Sequence, residues 1–294
     1  MLKIKTIAKG AAALLLLSGT IKFCHKQTDG FYLTKIQNNT FETDSSFCSS
    51  EEEARALNFL SQPYTYLARG KQSFVFLSQD GKWVLKLLNN HYQSRIALLN
   101  MLGPCAWQKR ELSYYSGKME LTRESYKISY TDLKEETGVL YLHLNRSRHL
   151  KQRVKIVDRL GICHEVDLDS TAFIIQKRGE LAYPQFEEWL GKGDIEAAKR
   201  GISSLVALVQ TRFKKDLNDR DPLIRTNIGF IDGKASFLDL GPFSKSSEPK
   251  SPEALDAEMQ KITQSLKNWL SERDPSLALF LSEQCASLSK NQKE

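Results

Sequence analysis

Residues 219–243, DRDPLIRTNIGFIDGKASFLDLGPF, decide how this chain is read. Within them, two short apolar runs, 228–231 and 235–238, are joined across Asp232-Gly233, a dipeptide that readily takes positive φ and so forms the tight turn of a β-hairpin. The turn fixes the spacing, so Asn227 and Asp239, one at each open end of the hairpin, are expected side by side. Asp221 lies just upstream, after Arg220. Two oxygen-bearing side chains at one end of a hairpin, with a further carboxylate nearby, suit a Mg²⁺ ion held on phosphate oxygens.

The stretch resembles the catalytic loop and metal loop of the protein-kinase-like superfamily. The resemblance implies that Asp221 is the catalytic base and that Asn227 and Asp239 hold the metal. Three departures stand in the sequence. Asp219 occupies the place of the family's His, Leu240 that of the Phe in Asp-Phe-Gly, and Asp221 precedes Asn227 by six residues where five are usual.

Upstream, a second hairpin is signalled at Asp80-Gly81, between 74–77 and 83–88. Gly70 and Ser73 precede its first strand, and Lys86 lies in its second between Leu85 and Leu87-Leu88. An ammonium inside an apolar strand needs a partner. By the same resemblance, the 70–75 turn stands for the phosphate-binding glycine loop, although it keeps one of the three glycines. Lys86 stands for the strand lysine that orients the α- and β-phosphates. The implied ligands are ATP and Mg²⁺, with Gly70, Ser73, Lys86 and a helix glutamate on the nucleotide side. Glu136 is the expected partner of Lys86, because residues 123–144 show a helical apolar stripe at Tyr126, Tyr130, Leu133 and Leu140 with Glu136 between them. Glu124 and Glu135 are the alternatives.

The remaining elements follow the same order. A capped helix is expected at 51–60, started by Ser49 and Ser50 and stopped by Pro63. Another runs from 92 to 101, up to Gly103-Pro104. Strands at 154–157 and 171–176 bring the first half to about five. Residues 177–180, Lys-Arg-Gly-Glu, take the place of the inter-lobe hinge. Pro184 opens a short helix, and Asp194 caps a long one with Ile202, Leu205, Val206, Val209 and Phe213 on one face. Two helices, 253–270 and 275–288, close the chain. No Ala-Pro-Glu segment is present, so the platform for peptide substrates is expected to be missing or reduced.

The expected fold is therefore α+β, a protein-kinase-like two-lobe fold with a small antiparallel β-sheet N-lobe and a mainly helical C-lobe. The expected organisation is a signal peptide or membrane anchor at 1–24, a linker and short helix at 25–61, an N-lobe with a helical insertion at 62–178 and a helical C-lobe at 179–294. The chain is long enough for this, with 294 residues, 41% hydrophobic and 26% charged. The net charge of +7 is spread out, with basic clusters at 146–155 and 212–215, and no nucleic-acid-binding motif accompanies it. Nucleic acid is not an expected partner; a nucleotide is, and a protein partner stays open. Five cysteines, far apart and odd in number, argue against a disulfide framework or zinc site.

At the N-terminus, Lys3, Lys5 and Lys9 precede an apolar run at 10–21. That order marks a secretory signal or an uncleaved membrane anchor. The run is shorter than the roughly 20 residues a spanning helix needs, which favours the signal peptide. The expected location is exported or membrane-associated, with membrane attachment through 10–21 and a cytoplasmic domain also open. Three functional classes follow: an ATP/Mg²⁺-dependent phosphotransferase acting on a hydroxyl acceptor, a pseudokinase that keeps the fold as a binding module without transfer, or a secreted or membrane-attached interaction protein whose Asp-Gly hairpins are structural only.

Overall fold

The structure, a computed structural model, describes residues 2–37, 48–241, 243–247 and 251–290. It opens with helix α1 (Leu2–Gln27). Helix α2 (Ser50–Phe59) starts at a capping box in which the Ser49 side chain accepts from the Glu52 amide and Glu52 accepts from the Ser49 amide, satisfying two otherwise orphan donors. Strands β1 (Tyr64–Arg69), β2 (Ser73–Ser78) and β3 (Trp83–Leu88) form a meander, followed by helices α3 (His91–Asn100), α4 (Ala106–Thr131) and α5 (Lys134–Thr137). Strands β4 (Val139–His143), β5 (Arg153–Val157), β6 (Cys163–Asp167) and β7 (Phe173–Lys177) complete a seven-stranded sheet in the order β4-β7-β3-β2-β1-β5-β6. Every pair in it is antiparallel except β1 with β5.

The chain then enters strand β8 (Glu180–Leu181), helices α6 (Ala182–Gly191) and α7 (Ile195–Lys214), and strand β9 (Leu217–Asp219). After helix α8 (Ile224–Asn227) come strands β10 (Ile228–Ile231), β11 (Lys234–Phe237) and β12 (Phe243–Lys245), and finally helices α9 (Pro252–Ser271) and α10 (Pro275–Lys290). The expected α+β architecture is what the structure shows: a small, chiefly antiparallel sheet in the first half and a mainly helical second half.

Strand alternation sets the two faces of the large sheet. Leu85 and Leu87 of β3 face a core with Phe74, Phe76, Tyr141, Phe173 and Ile175. Leu88, Ile174 and Leu142 face the other side, which α4 covers with Tyr126 and Tyr130. Lys86, in register with Ile174, therefore points to the α4 side. In the second half α7 buries Ile202, Leu205, Val206, Val209 and Phe213, as its periodicity predicts, against α9, α10 and the β10–β11 hairpin. The Asp194 side chain caps α7 by accepting from the Ala197 amide at 2.9 Å.

Two expectations fail. Residues 139–143 form β4, not the end of a helix. The stripe that suggested helix up to 144 stops at Gly138, whose φ of +63° ends α5, and the β-branched and aromatic run Val-Leu-Tyr-Leu then pairs with β7. Strand β6, polar on its exposed face, lacks an apolar signature and was not foreseen. The second failure concerns the expected linker. Residues 28–37 pack onto the sheet, with Phe31 3% and Ile36 0% exposed in the same core as Phe74. None of the five cysteines forms a disulfide.

Candidate functional site

The site is built on the β10–β11 hairpin. Asp232 and Gly233 both take positive φ, +50° and +78°, giving the primed turn that matches strand twist. Pairing of Ile228 with Phe237 brings the hairpin ends together, and the amides of Leu238 and Asp239 both donate to the Asn227 carbonyl, at 2.8 and 3.2 Å. Asn227 and Asp239 are adjacent, as the spacing predicts. Asp221 joins them through its backbone: the Asn227 Nδ2 donates to the Asp221 carbonyl at 2.7 Å. That bond commits the nitrogen of the Asn227 amide and leaves its Oδ1 to meet an external group. The Asp239 Oδ1 accepts from the Gly241 amide at 3.1 Å. The carboxylates of Asp221 and Asp239 are exposed, while Asn227 is buried.

Lys86 meets this turn from the other half of the protein. Its Nζ donates to the Leu238 carbonyl. Burial draws the Lys86 pKa down to about 8, opposed by the Asp239 carboxylate. A lysine held by one carbonyl and one nearby carboxylate is a cation with donor capacity to spare. Asp219 is a third carboxylate beside the two exposed ones. Burial pushes its pKa up, with the Asp221 and Asp239 charges adding to the effect, and its Oδ1 accepts from the Asp221 amide at 2.9 Å. Beneath the loop, fully buried Arg212 donates to the Leu217 carbonyl at 2.8 Å and to Glu258 of α9, pinning the strand that leads into Asp221.

Glu136 does not pair with Lys86. It lies on α5 and accepts from Lys215, at the C-terminus of α7, at 2.9 Å. The expectation assumed one continuous helix over 123–144; the break after Thr131 carries Glu136 away from the sheet. Glu135 is on the same short helix, exposed. On α4 the buried side facing the turn carries Thr122, Ser125, Tyr126 and Ser129, and Glu124 is outside that row. Among the described residues no helix carboxylate is recorded against Lys86.

These α4 residues were missed from the sequence, and they bind the site together. The Ser125 hydroxyl donates to the Leu240 carbonyl at 2.7 Å and accepts from the Phe243 amide at 2.8 Å, and Ser129 also donates to Leu240. Leu240 is 1% exposed among Tyr126, Leu88 and Ile174. The 70–73 turn closes through the Gly70 amide on the Ser73 carbonyl at 2.9 Å. Its Gln72 side chain donates to Thr122 and accepts from Tyr126, both at 3.1 Å, and reaches Gly241, where a Cβ would collide with Gln72 Oε1. Serines in a helix and a glutamine in a turn carry no motif, so only the assembled contacts reveal them. Gly70 and Ser73 thus sit in a turn latched to the Asp-Leu-Gly segment.

The link between the halves, after β7, passes Gly179, where a Cβ would sit 2.6 Å from Leu238 Cδ2. Only a glycine lets this segment lie against the hairpin that holds Asp239. Among the described residues no group of three or more His, Cys, Asp or Glu could hold a metal unaided. The oxygen donors present, Asn227 Oδ1 and the Asp239 carboxylate, are hard and few, which suits an ion that keeps most of its shell for water and phosphate. A separate hollow of about 490 Å³, lined by Asp132, Lys215 and Lys245 among others, contains none of these residues.

No family model matches the chain and no curated protein matches it. Among solved structures it is similar to WbdD, with 10% identity over 76% of this chain and 45% of that one at a TM-score of 0.38. Another structure of the same protein, described as a bifunctional kinase-methyltransferase, gives 11% identity and a TM-score of 0.36, covering 74% of this chain and 43% of that one. It is also similar to Rv3197 of Mycobacterium tuberculosis, solved in complex with erythromycin, with 14% identity over 77% of this chain and 59% of that one at a TM-score of 0.34. The chain spans about half the length of these structures. At scores this low, the reading of the site is left to its own geometry.

Proposed function

We propose that this chain is a divergent member of the protein-kinase-like superfamily that binds ATP with Mg²⁺ between Lys86 and the Asn227–Asp239 turn and transfers the terminal phosphoryl group to a hydroxyl acceptor. The observation that carries the proposal is the contact of Lys86 with Leu238, across 152 positions of sequence, one residue from Asp239. A fold that brings a partly desolvated ammonium to two oxygen donors and an exposed carboxylate supplies what phosphoryl transfer asks of a protein, namely positioning and charge neutralisation.

The roles follow from the atoms. Lys86 takes phosphate oxygens with its remaining donors and is mostly charged at neutral pH with a pKa of about 8. Asn227 Oδ1 and the Asp239 carboxylate would hold Mg²⁺, which when bound neutralises charge on the phosphates. Asp221, exposed beside them, orients the acceptor hydroxyl and takes its proton as the acceptor oxygen bonds to phosphorus and the bond to the nucleoside diphosphate breaks. Gln72 holds the 70–73 turn at the phosphate end.

A second reading, a module that binds nucleotide or a protein partner without transfer, is favoured by one observation. Among the described residues no helix carboxylate clamps Lys86, and the buried side of α4 carries Thr122, Ser125 and Tyr126. Incubation with ATP labelled on the γ-phosphate separates the two. Label appearing on the chain or on small hydroxylated acceptors, and lost in Asp221→Asn, is the expected result. Nucleotide binding without label transfer selects the binding module, and absence of both rejects the proposal.

A further inference from the structure

From Leu14 on, helix α1 exposes its apolar residues on all sides. Leu14, Leu15, Leu16 and Leu17 are 57–73% exposed, and Ile21 and Phe23 about as much. No helix among the described residues is long and apolar enough to cross a membrane. Lys9 and Lys22 flank the run, about 20 Å apart along the axis.

The chain does not leave α1 as a loose tether. Asp29 accepts from the Tyr66 hydroxyl at 2.6 Å, its carbonyl accepts from Arg69, and Phe31 is buried beneath β2. On the other side Arg159, in the β5–β6 turn, donates to the Lys26 carbonyl at 3.4 Å. The root of α1 is therefore fixed to β1 and to that turn. Around it the surface is both apolar and cationic. Leu160 and Ile162 at the tip of the turn are 51% and 52% exposed, Leu67 48% and Tyr32 53%. The same root carries cations: Arg159 meets Lys26 and Arg69 meets Asp29, with Lys35 close enough to Arg69 for the two charges to repel. The carboxylates in the same region are turned to internal partners: Asp29 to Tyr66, and Asp158 to His164 and to the amides of Leu160 and Ile162.

We propose that α1 stays with the folded domain and seats it on an anionic lipid membrane. The apolar run lies in one leaflet, Leu160 and Ile162 dip beside it, and Lys22, Lys26, Arg69 and Arg159 rest on the headgroups. Exposed apolar side chains ringed by cations match the boundary between acyl chains and acidic headgroups. A second copy of the chain is a poorer occupant, because a symmetric contact would set the cationic rings against each other. The inference stands apart from the nucleotide reading. Should both hold, the phosphate-binding turn that follows Arg69 lies near the membrane surface.

The test is flotation of the full chain with vesicles of phosphatidylcholine alone and with vesicles containing about a third phosphatidylglycerol. The chain is expected to float with the acidic vesicles, more weakly at high salt, and at least about 25-fold less with the neutral ones. Lys26→Glu/Arg159→Glu should lower partition at least about 25-fold at about fivefold per charge, and Leu15→Asp should abolish it, both with unchanged melting. Equal binding to neutral vesicles, no flotation, or insensitivity to these substitutions overturns the proposal. So does a discrete lipid-free dimer that Leu15→Asp dissociates, or a mature chain that begins after residue 24.

Discussion

Lys86 and Leu238 are joined by a hydrogen bond from the strand ammonium to the backbone carbonyl that immediately precedes Asp239. The bond fixes the 238–241 turn against the sheet, so that among the described residues the lysine is held by that turn and not by a helix carboxylate. A nucleotide that engages Lys86 must therefore compete with, or add to, that contact.

From this follows a pH dependence. The Lys86 pKa is drawn down to about 8 by burial, and a bound polyphosphate favours the charged form. Below pH 8 the ammonium is present and binding is at full strength; above it, a proton must be taken up on binding and affinity falls, by up to tenfold per pH unit. Isothermal titration with Mg²⁺-ATP at pH 7 and 9.5 should show the loss and proton uptake near pH 8.5 to 9. In Lys86→Met, binding should be weak and the pH slope absent.

Gln72 and Gly241 form a steric pair. A Cβ at 241 would run into the Gln72 amide, so Gly241→Ala should swing the Gln72 amide away from Thr122 and Tyr126 and lower stability by about 1–2 kcal/mol. Gln72→Ala removes the obstacle. The double variant should be more stable than the sum of the single effects predicts, a coupling of at least about 0.5 kcal/mol in denaturant titrations.

Ser125 is the joint between α4 and the segment after Asp239. Its hydroxyl both donates to Leu240 and accepts from Phe243, in a residue with no exposed surface. Ser125→Ala takes the acceptor from the Phe243 amide and leaves the Leu240 carbonyl to Ser129 alone, and should cost about 1–3 kcal/mol of unfolding free energy. Ser125→Thr, which keeps the hydroxyl, tests whether the bonds or the tight space dominate.

His143 gives the fold a sensitivity to acid away from the site. Burial beside Tyr141 and Phe173 draws its pKa down to about 4, and its Nε2 is buried without a hydrogen-bond partner among the described residues. A folded pKa below the unfolded value near 6.5 means that its contribution is whole above pH 6.5 and is lost as pH falls toward 4, at about 1 kcal/mol per pH unit. His143→Phe should flatten that part of the stability profile and leave stability at pH 8 within about 1.5 kcal/mol.

The parts of this structure readable from sequence were those set by local rules. The Asp232-Gly233 and Asp80-Gly81 turns, the Asp194 cap and the α7 stripe all sit where their chemistry puts them, and the hairpin placed Asn227 beside Asp239. The failures came where tertiary context decided. Tyr126, Tyr130, Leu133 and Leu140 share a helical period, yet they are divided between α4, a turn and β4, because Gly138 takes a left-handed conformation and β7 offers a free edge. Glu136 fell with that helix. Phe31 and Ile36 sit in a polar stretch that reads as linker, and only the exposed core over Phe74 and Phe76 explains why they fold back. Gln72, Ser125 and Arg212 act through backbone carbonyls and other side chains distant in sequence, and no local pattern announces such partners.

The central claim is that Lys86, Asn227 and Asp239 converge on a magnesium-bound triphosphate. The measurement that tests it most directly is the melting temperature of the full chain with ATP, with and without Mg²⁺, beside that of Asp239→Asn. The account predicts that Mg²⁺-ATP raises the melting temperature by several degrees, as expected for a ligand well above its dissociation constant, and that Asp239→Asn loses the part of the rise that depends on Mg²⁺ while keeping the fold. Melting of the intact protein that is unmoved by millimolar Mg²⁺-ATP, or a rise that Asp239→Asn leaves whole, would contradict it.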